Sequence, residues 1–199
     1  KALGFRLINS DDQFERGLKK AGMESTPKDI FSEPGQAIRA TAKALTGKIL
    51  DRALKGRMGV VIDGTGKDYT KIKNQVVQMR NLGYAVHMIF VNTDLDTALE
   101  RNKMRPRVLP DKVVEKMWND VQKNMGKFSQ FFRQNFLVVD NNDSDEDVMG
   151  PVFKQVRALA KKKVQNRTGQ KWIAMELQKK GTSFSGGQSQ FRKFAGKQR

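Results

Sequence analysis

The chain has 199 residues, with 38 Lys/Arg against 21 Asp/Glu, a net charge of +17, and 38% hydrophobic and 30% charged residues. That length suits one domain plus an extension and allows a real core, while no apolar run approaches the ~18 residues of a membrane span, so no membrane partner is expected. The lack of cysteine excludes disulfides and thiol chemistry and points to a cytoplasmic protein, and the single His87 excludes a histidine-based metal site.

The opening KALGFRLINSDD reads as a helix end running into a strand: Ala2-Leu3 close the helix, Gly4 caps it, and Phe5 to Asn9 alternate. Asp11 and Asp12 follow where that strand stops. Residues 12–22 have helical spacing, with Phe14 and Leu18 four apart and a stop at Gly22. STPKDIFSEPG (25–35) reads as a loop. Residues 36–57 set Ile38, Ala42, Leu45, Ile49 and Leu54 along a long amphipathic helix. MGVVIDGTG (58–66) is an apolar run ended by an Asp-Gly turn, as in a buried parallel strand. A helix is predicted over 69–82, and YAVHMIFVNT (84–93) is a further buried strand, with His87 as a core or sheet histidine. DLDTALERNKM starts a helix with Asp94 or Asp96 near its N-terminus. Residues 110–132 are helical, with Pro110 in the first turn. NFLVVDNND (135–143) is a strand, and a last helix follows it. Strands alternating with helices predict an α/β fold: a three-layer parallel sheet with helices on both faces.

Composition divides the chain into an α/β domain over 1–160 and a basic extension over 161–199. Residues 151–199 carry 13 Lys/Arg against Glu176 alone. Within the extension a short helix is predicted around Trp172, Ile173, Met175 and Leu177. TSFSGGQSQFRKFAGKQR is too rich in Gly, Ser and Gln to bury a core and is expected to be disordered on its own. Lys161, Lys162, Lys163, Lys179, Lys180, Arg192 and Lys193, with Phe191 among the last of them, can neutralise phosphates and stack on unpaired bases. This predicts single-stranded nucleic acid or another polyanion as a partner, against the plainer reading of a solubilising tail.

In doubly wound sheets the chemistry sits beyond the C-terminal ends of the strands. There this chain places Asn9, Asp11 and Asp12, then Asp63 and Thr65, then Asn92 and Thr93, then Asp140 and Asn141. Each alone is equally a turn or cap residue. As a set they offer a proton acceptor, Asp11, and carboxylates for Mg²⁺, Asp11 and Asp63. Arg101, Arg105 and Arg107 fall within seven residues, and a four-residue spacing places Arg101 and Arg105 on one helix face. Such arginines clamp phosphates, or else form a solvated basic face. No G-x-x-x-x-G-K-[ST] phosphate loop occurs in the sequence; GTGKD (64–68) has the wrong glycine spacing and Asp68 where Ser or Thr belongs.

Together GFRLINSDD, GVVIDGT and the stretch from LGYAVHMIF to WNDVQKN, with its R-N-x-x-R core and Val-x-Pro step, resemble P-loop kinases of the polynucleotide 5′-kinase and zeta-toxin type over about residues 1–142. The resemblance implies an ATP- and Mg²⁺-dependent phosphotransferase acting on a hydroxyl of a polynucleotide, nucleotide or nucleotide sugar. It implies Asp11 as general base, Arg105 and Arg101 as lid arginines on the donor phosphates, and Asn9, Asp12, Asp63, Thr65 and Arg107 at the substrate or metal. Where polynucleotide kinases follow the acidic pair with an arginine, this chain has Gln13-Phe14, with Arg16 the nearest base. The resemblance also implies that a strand, a phosphate loop and most of a helix precede Lys1, about 20–25 residues, and that the 199 residues alone are inactive. Two non-enzymatic readings stand beside it: a kinase-derived module binding nucleic acid or protein through its basic tail, and a scaffold of a virus-like assembly.

Overall fold

Local capping chemistry sets most of the element boundaries. The computed structural model describes residues 4–105, 108–142 and 149–181. The first strand, β1 (Arg6–Ile8), leads into α1 (Asp11–Lys20), which has Asp11 and Asp12 in its first turn and Lys19 and Lys20 in its last, both favourable to the helix dipole. Residues 25–35 are not the expected loop. Thr26 Oγ1 accepts from the Asp29 N–H at 3.3 Å and starts α2 (Pro27–Phe31); Ser32 Oγ accepts from the Gly35 N–H at 3.1 Å and starts α3 (Glu33–Lys55). Each cap is closely followed by a proline, so the residues that read as turn formers are helix starters here.

The order continues β2 (Val60–Ile62), α4 (Tyr69–Asn81), β3 (Met88–Asn92), α5 (Leu95–Lys103), α6 (Asp111–Phe132), β4 (Phe136–Asp140), α7 (Met149–Lys161) and α8 (Arg167–Lys179). Asp68 caps α4 and Asp94 caps α5 through their carboxylates. Pro110 stands at the cap position of α6, one residue outside the helix. Among the described residues no helix is long and apolar enough to cross a membrane.

The strands are parallel, as expected, but they form two two-stranded sheets rather than one. β1 pairs β2, with Arg6 opposite Val60 and Ile8 opposite Ile62. β3 pairs β4, from Met88 opposite Phe136 to Asn92 opposite Asp140. Among the described residues no strand joins β2 to β3, which is why the predicted three-layer sheet is not seen. Each half keeps its own core. Phe14, Leu18, Ile30 and Ala42 pack between α1, α2 and α3. Val76, Phe90, Phe128 and Phe132 pack where α4 and α6 cover β3, extended by Tyr69 with its ring centroid 5.3 Å from that of Phe128. Burial of each Val, Leu, Ile or Phe side chain among them contributes about 1.5–3 kcal/mol.

The α8 segment, assigned by composition to the extension, packs on the second half. A Cβ on Gly169 would lie 2.4 Å from the Gly83 carbonyl oxygen, so only glycine permits this approach of α8 to the turn after α4. Asn166 caps α8 and donates through Nδ2 to the Arg80 carbonyl at 2.8 Å, and the Arg57 guanidinium lies 5.3 Å above the Trp172 ring. Residues 182–199, with Phe191, Arg192 and Lys193, lie outside the described residues, as does Arg107.

Candidate functional site

The end of β1 and the end of β2 are joined by one side chain. Asn9 accepts at Oδ1 from the Asp11 N–H at 2.8 Å, which turns the chain into α1. The same side chain donates from Nδ2 to Asp63 Oδ2 at 2.8 Å. The Asp63 N–H donates to the Ile8 carbonyl at 3.1 Å, continuing the parallel ladder to its last rung. Asn9 thus ties Asp11 and Asp63, residues 52 apart in the chain, into one polar rim. Asp11, Asp12, Asp63 and Thr65 are exposed on it.

A second rim lies at the ends of β3 and β4. The Asn141 N–H donates to the Asn92 carbonyl at 2.9 Å. Asn142 is its hub: Oδ1 accepts from the Asp94 N–H at 2.7 Å, its carbonyl accepts from Arg101 Nη2 at 3.1 Å, and its N–H donates to Asp140 Oδ1 at 3.1 Å. The Asp94 carboxyl is held below its ordinary pKa, chiefly by hydrogen bonds from Thr97, with a smaller contribution from Arg101. α6 reaches across to both rims. Trp118 Nε1 donates to the Thr93 carbonyl at 2.8 Å, Gln122 Nε2 to Asn92 Oδ1 at 2.8 Å, and Asn124 Nδ2 to the carbonyls of Gly66 and Lys67.

The arginines do not share a helix face. α5 ends at Lys103, and Arg105 lies beyond its cap in an exposed bend. The cause is Pro106: the residue before a proline is disfavoured in the helical conformation. Arg101 stays on the helix and is half-buried against Asn142. Between the two arginines, Asn102 is 3% exposed and clamps Leu109 from both sides, donating to its carbonyl at 2.8 Å and accepting from its N–H at 3.0 Å. Leu109 is thereby held to the last turn of α5, and Arg105 follows that turn.

The sequence reading passed over Asn102, Trp118, Gln122, Asn124 and Asn142. Only Asn102 left a signal, as the Asn of R-N-x-x-R; the others bond to groups far away in the chain, Gln122 to the Asn92 side chain and the rest to backbone. GTGKD is accounted for without nucleotide: Asp68 Oδ1 accepts from the Lys71 N–H at 2.9 Å as the cap of α4. Among the described residues no group of three His, Cys, Asp or Glu gathers as a metal cage. Mg²⁺ takes one or two carboxylates and keeps several waters, so the exposed Asp63, oriented by Asn9, fits that ion without such a cage.

No curated protein matches the chain. The AAA domain family matches residues 1–128, the span from β1 into α6 that holds both strand-end rims except Asp140 to Asn142. With that match over more than half its length, and with parallel strands ending in acidic and amide side chains, the chain belongs to the AAA domain family, a P-loop NTPase-type family that includes kinases.

Proposed function

We propose that this chain supplies the acceptor and lid sides of a nucleotide-dependent kinase that phosphorylates a hydroxyl on a polynucleotide, nucleotide or nucleotide sugar. The observation that carries the reading is the Asn9 bridge, which sets two exposed carboxylates, Asp11 and Asp63, on one rim at the ends of two parallel strands. In the proposed mechanism Asp11 takes the proton from the acceptor hydroxyl. Asp63 would hold Mg²⁺, whose charge offsets that of the donor phosphates when it is bound. Asn9 fixes Asp63, while Asp12 and Thr65 border the acceptor. Arg105, just past the turn of α5 that Asn102 ties to Leu109, contacts the donor phosphates, and Arg101 anchors α5 to Asn142 with further guanidinium donors left for phosphate. Arg107 belongs to the same proposed lid.

The phosphate loop with its lysine does not occur in the 199 residues, so we expect the chain alone to bind ATP weakly and to transfer nothing. The test is labelled-phosphate transfer from ATP with Mg²⁺ to a 5′-hydroxyl oligonucleotide, a nucleotide and a nucleotide sugar. It uses the 199-residue chain and the longest product of its reading frame. Transfer by the longer product only supports the proposal; transfer by neither refutes the kinase reading, and robust transfer by the 199-residue chain refutes the need for a phosphate loop.

A second activity, binding of a polyanion such as single-stranded nucleic acid, is supported by the charge at the C-terminal end. Among the described residues the one ion pair is Lys179 with Glu176 at 2.9 Å, so Lys161, Lys162, Lys163 and Lys180 have no acidic partner there.

A further inference from the structure

The turn from α6 into β4 holds an arginine where the backbone favours glycine. Arg133, the first residue after α6, has φ +51° and ψ −123°, a conformation open to glycine and strained for a residue with a Cβ. Strain of this kind collects at binding sites. Here it accompanies a pocket of about 490 Å³, formed where the end of α4 meets the end of α6. α6 delivers the chain to the start of β4, so the pocket lies at the entry ends of the strands, away from the exit ends that carry Asp63 and Asp140.

Two arginines line the pocket, Arg80 from the last turn of α4 and Arg133 from the strained turn. The Arg80 guanidinium lies 4.8 Å from the centre of the Phe131 ring and 5.8 Å from that of Phe132, so the rings hold its plane and leave the N–H groups at its edge open. No acid lines the pocket, and among the described residues neither arginine side chain has a hydrogen bond or an ion pair. Two guanidinium groups without acceptors make a seat for an anion. Gln130, Gln134 and Asn135 add amides, each a donor and an acceptor together. The volume is in the range of sites for small organic ligands, about 300–1,000 Å³, and a bare phosphate leaves most of it unfilled.

We infer that this pocket binds a nucleoside phosphate, either a free nucleotide or one unit of a single strand. Arg80 and Arg133 take the phosphate through their planar forks. The amides match the mixed donor and acceptor edge of a base, and Phe131 with the guanidinium plane of Arg80 offers a stacking surface. The surroundings continue in the same chemistry. Phe131 meets Tyr69 edge-on, with ring centres 6.4 Å apart, and Lys127 Nζ lies 5.8 Å from the Tyr69 ring centre, a second pairing of cation and ring beside the first. Asn166 donates to the Arg80 carbonyl at 2.8 Å, and the exposed Arg167 follows it at the start of α8. The site is independent of the kinase reading; with a strand as ligand it rests on the polyanion reading and gives that reading a place.

Calorimetric titration of the 199-residue chain with AMP, adenosine, inorganic phosphate and a short oligodeoxyadenylate, at physiological ionic strength, tests this. AMP should bind at least about 10-fold more tightly than adenosine or phosphate, and Arg80→Lys and Arg133→Gly should each weaken it at least about 10-fold. Arg133→Gly should also raise the urea midpoint, because glycine relieves the positive φ, so lost binding there is not lost folding. Asp63→Asn should leave AMP binding unchanged, which separates the pocket from the rim at the strand ends. Tighter binding of the oligonucleotide than of AMP, weakened by the same two arginine changes, supports the pocket with a strand as its ligand; an oligonucleotide no tighter than AMP supports it with the free nucleotide. Absent AMP binding, or AMP binding untouched by both arginine changes, would overturn the site, whether or not the oligonucleotide still binds through the basic extension. Phosphate binding as tightly as AMP would overturn the nucleoside.

Discussion

Single residues at this site divide into those that act and those that aim them. In the catalytically complete protein Asp11→Asn should lower turnover by about 10²–10⁴-fold, the range of a positioned base, with little change in ATP affinity. Steady-state kinetics and equilibrium nucleotide binding check it; loss of activity on Asp12→Asn with Asp11→Asn fully active would move the base to Asp12. Arg105→Lys should reduce turnover more than ATP binding, because the ammonium keeps the charge but loses the planar fork. Matching losses for Arg105→Ala and Glu100→Ala would instead mark a solvated surface. His87 offers a test that needs no activity. It is half-buried, its Nδ1 has no hydrogen-bond partner among the described residues, and its pKa is lowered, first by burial and then by Lys162. The unfolded chain therefore binds more protons between that lowered pKa and 6.5, so stability rises with pH through this window and is lost as pH falls through it. Urea midpoints should fall on acidification from about pH 7 to about pH 5, and His87→Gln should remove that part of the slope.

At the scale of elements, two clamps decide how loops and helices sit. Asn102→Ala deletes both bonds to Leu109 and leaves a backbone amide and a carbonyl short of partners, so it should cost about 1–3 kcal/mol by urea denaturation. Its second effect is functional: the turn before Arg105 loosens, so the Asn102→Ala and Arg105→Ala losses in turnover should combine less than additively. α8 is held more by shape than by charge. Gly169→Ala places a methyl against the Gly83 carbonyl and should release the helix, seen as faster amide exchange over 167–179 with the exchange of α1 and α3 unchanged. Retained protection in that variant would mean that Asn166 and Trp172 suffice to hold α8.

At the scale of the whole molecule, charge is the main lever. If the C-terminal bases neutralise about four to six phosphates of a single strand, log K should fall with log salt at a slope of roughly −3 to −4. Removing residues 181–199 should flatten that slope but not abolish it, because Lys161, Lys162, Lys163, Lys171 and Lys179 remain on or beside α7 and α8. A labelled oligonucleotide titrated at several salt concentrations measures it; identical curves with and without the tail would remove residues 181–199 from the binding account.

Local pattern was enough for the alternation of strands with most of the helices, the acidic ends of β1 and β2, the choice of Asp94 or Asp96 near the start of α5, and the rejection of GTGKD as a phosphate loop. These depend on neighbours within a few residues, where side-chain period and capping chemistry act. The two helix starts inside 25–35 were equally local but hidden, since Thr26-Pro27 and Ser32 with Pro34 signal a turn and a helix start in the same letters. Tertiary structure decided the rest. Asn9 meets Asp63 across 54 residues, Arg101 meets Asn142 across 41, and Asn124 meets Gly66 across 58. It also separated Arg101 from Arg105, docked α8 on the core and left β2 and β3 unpaired. Periodicity reports which face of an element is apolar, but which distant backbone group an amide side chain will find depends on how the elements pack together.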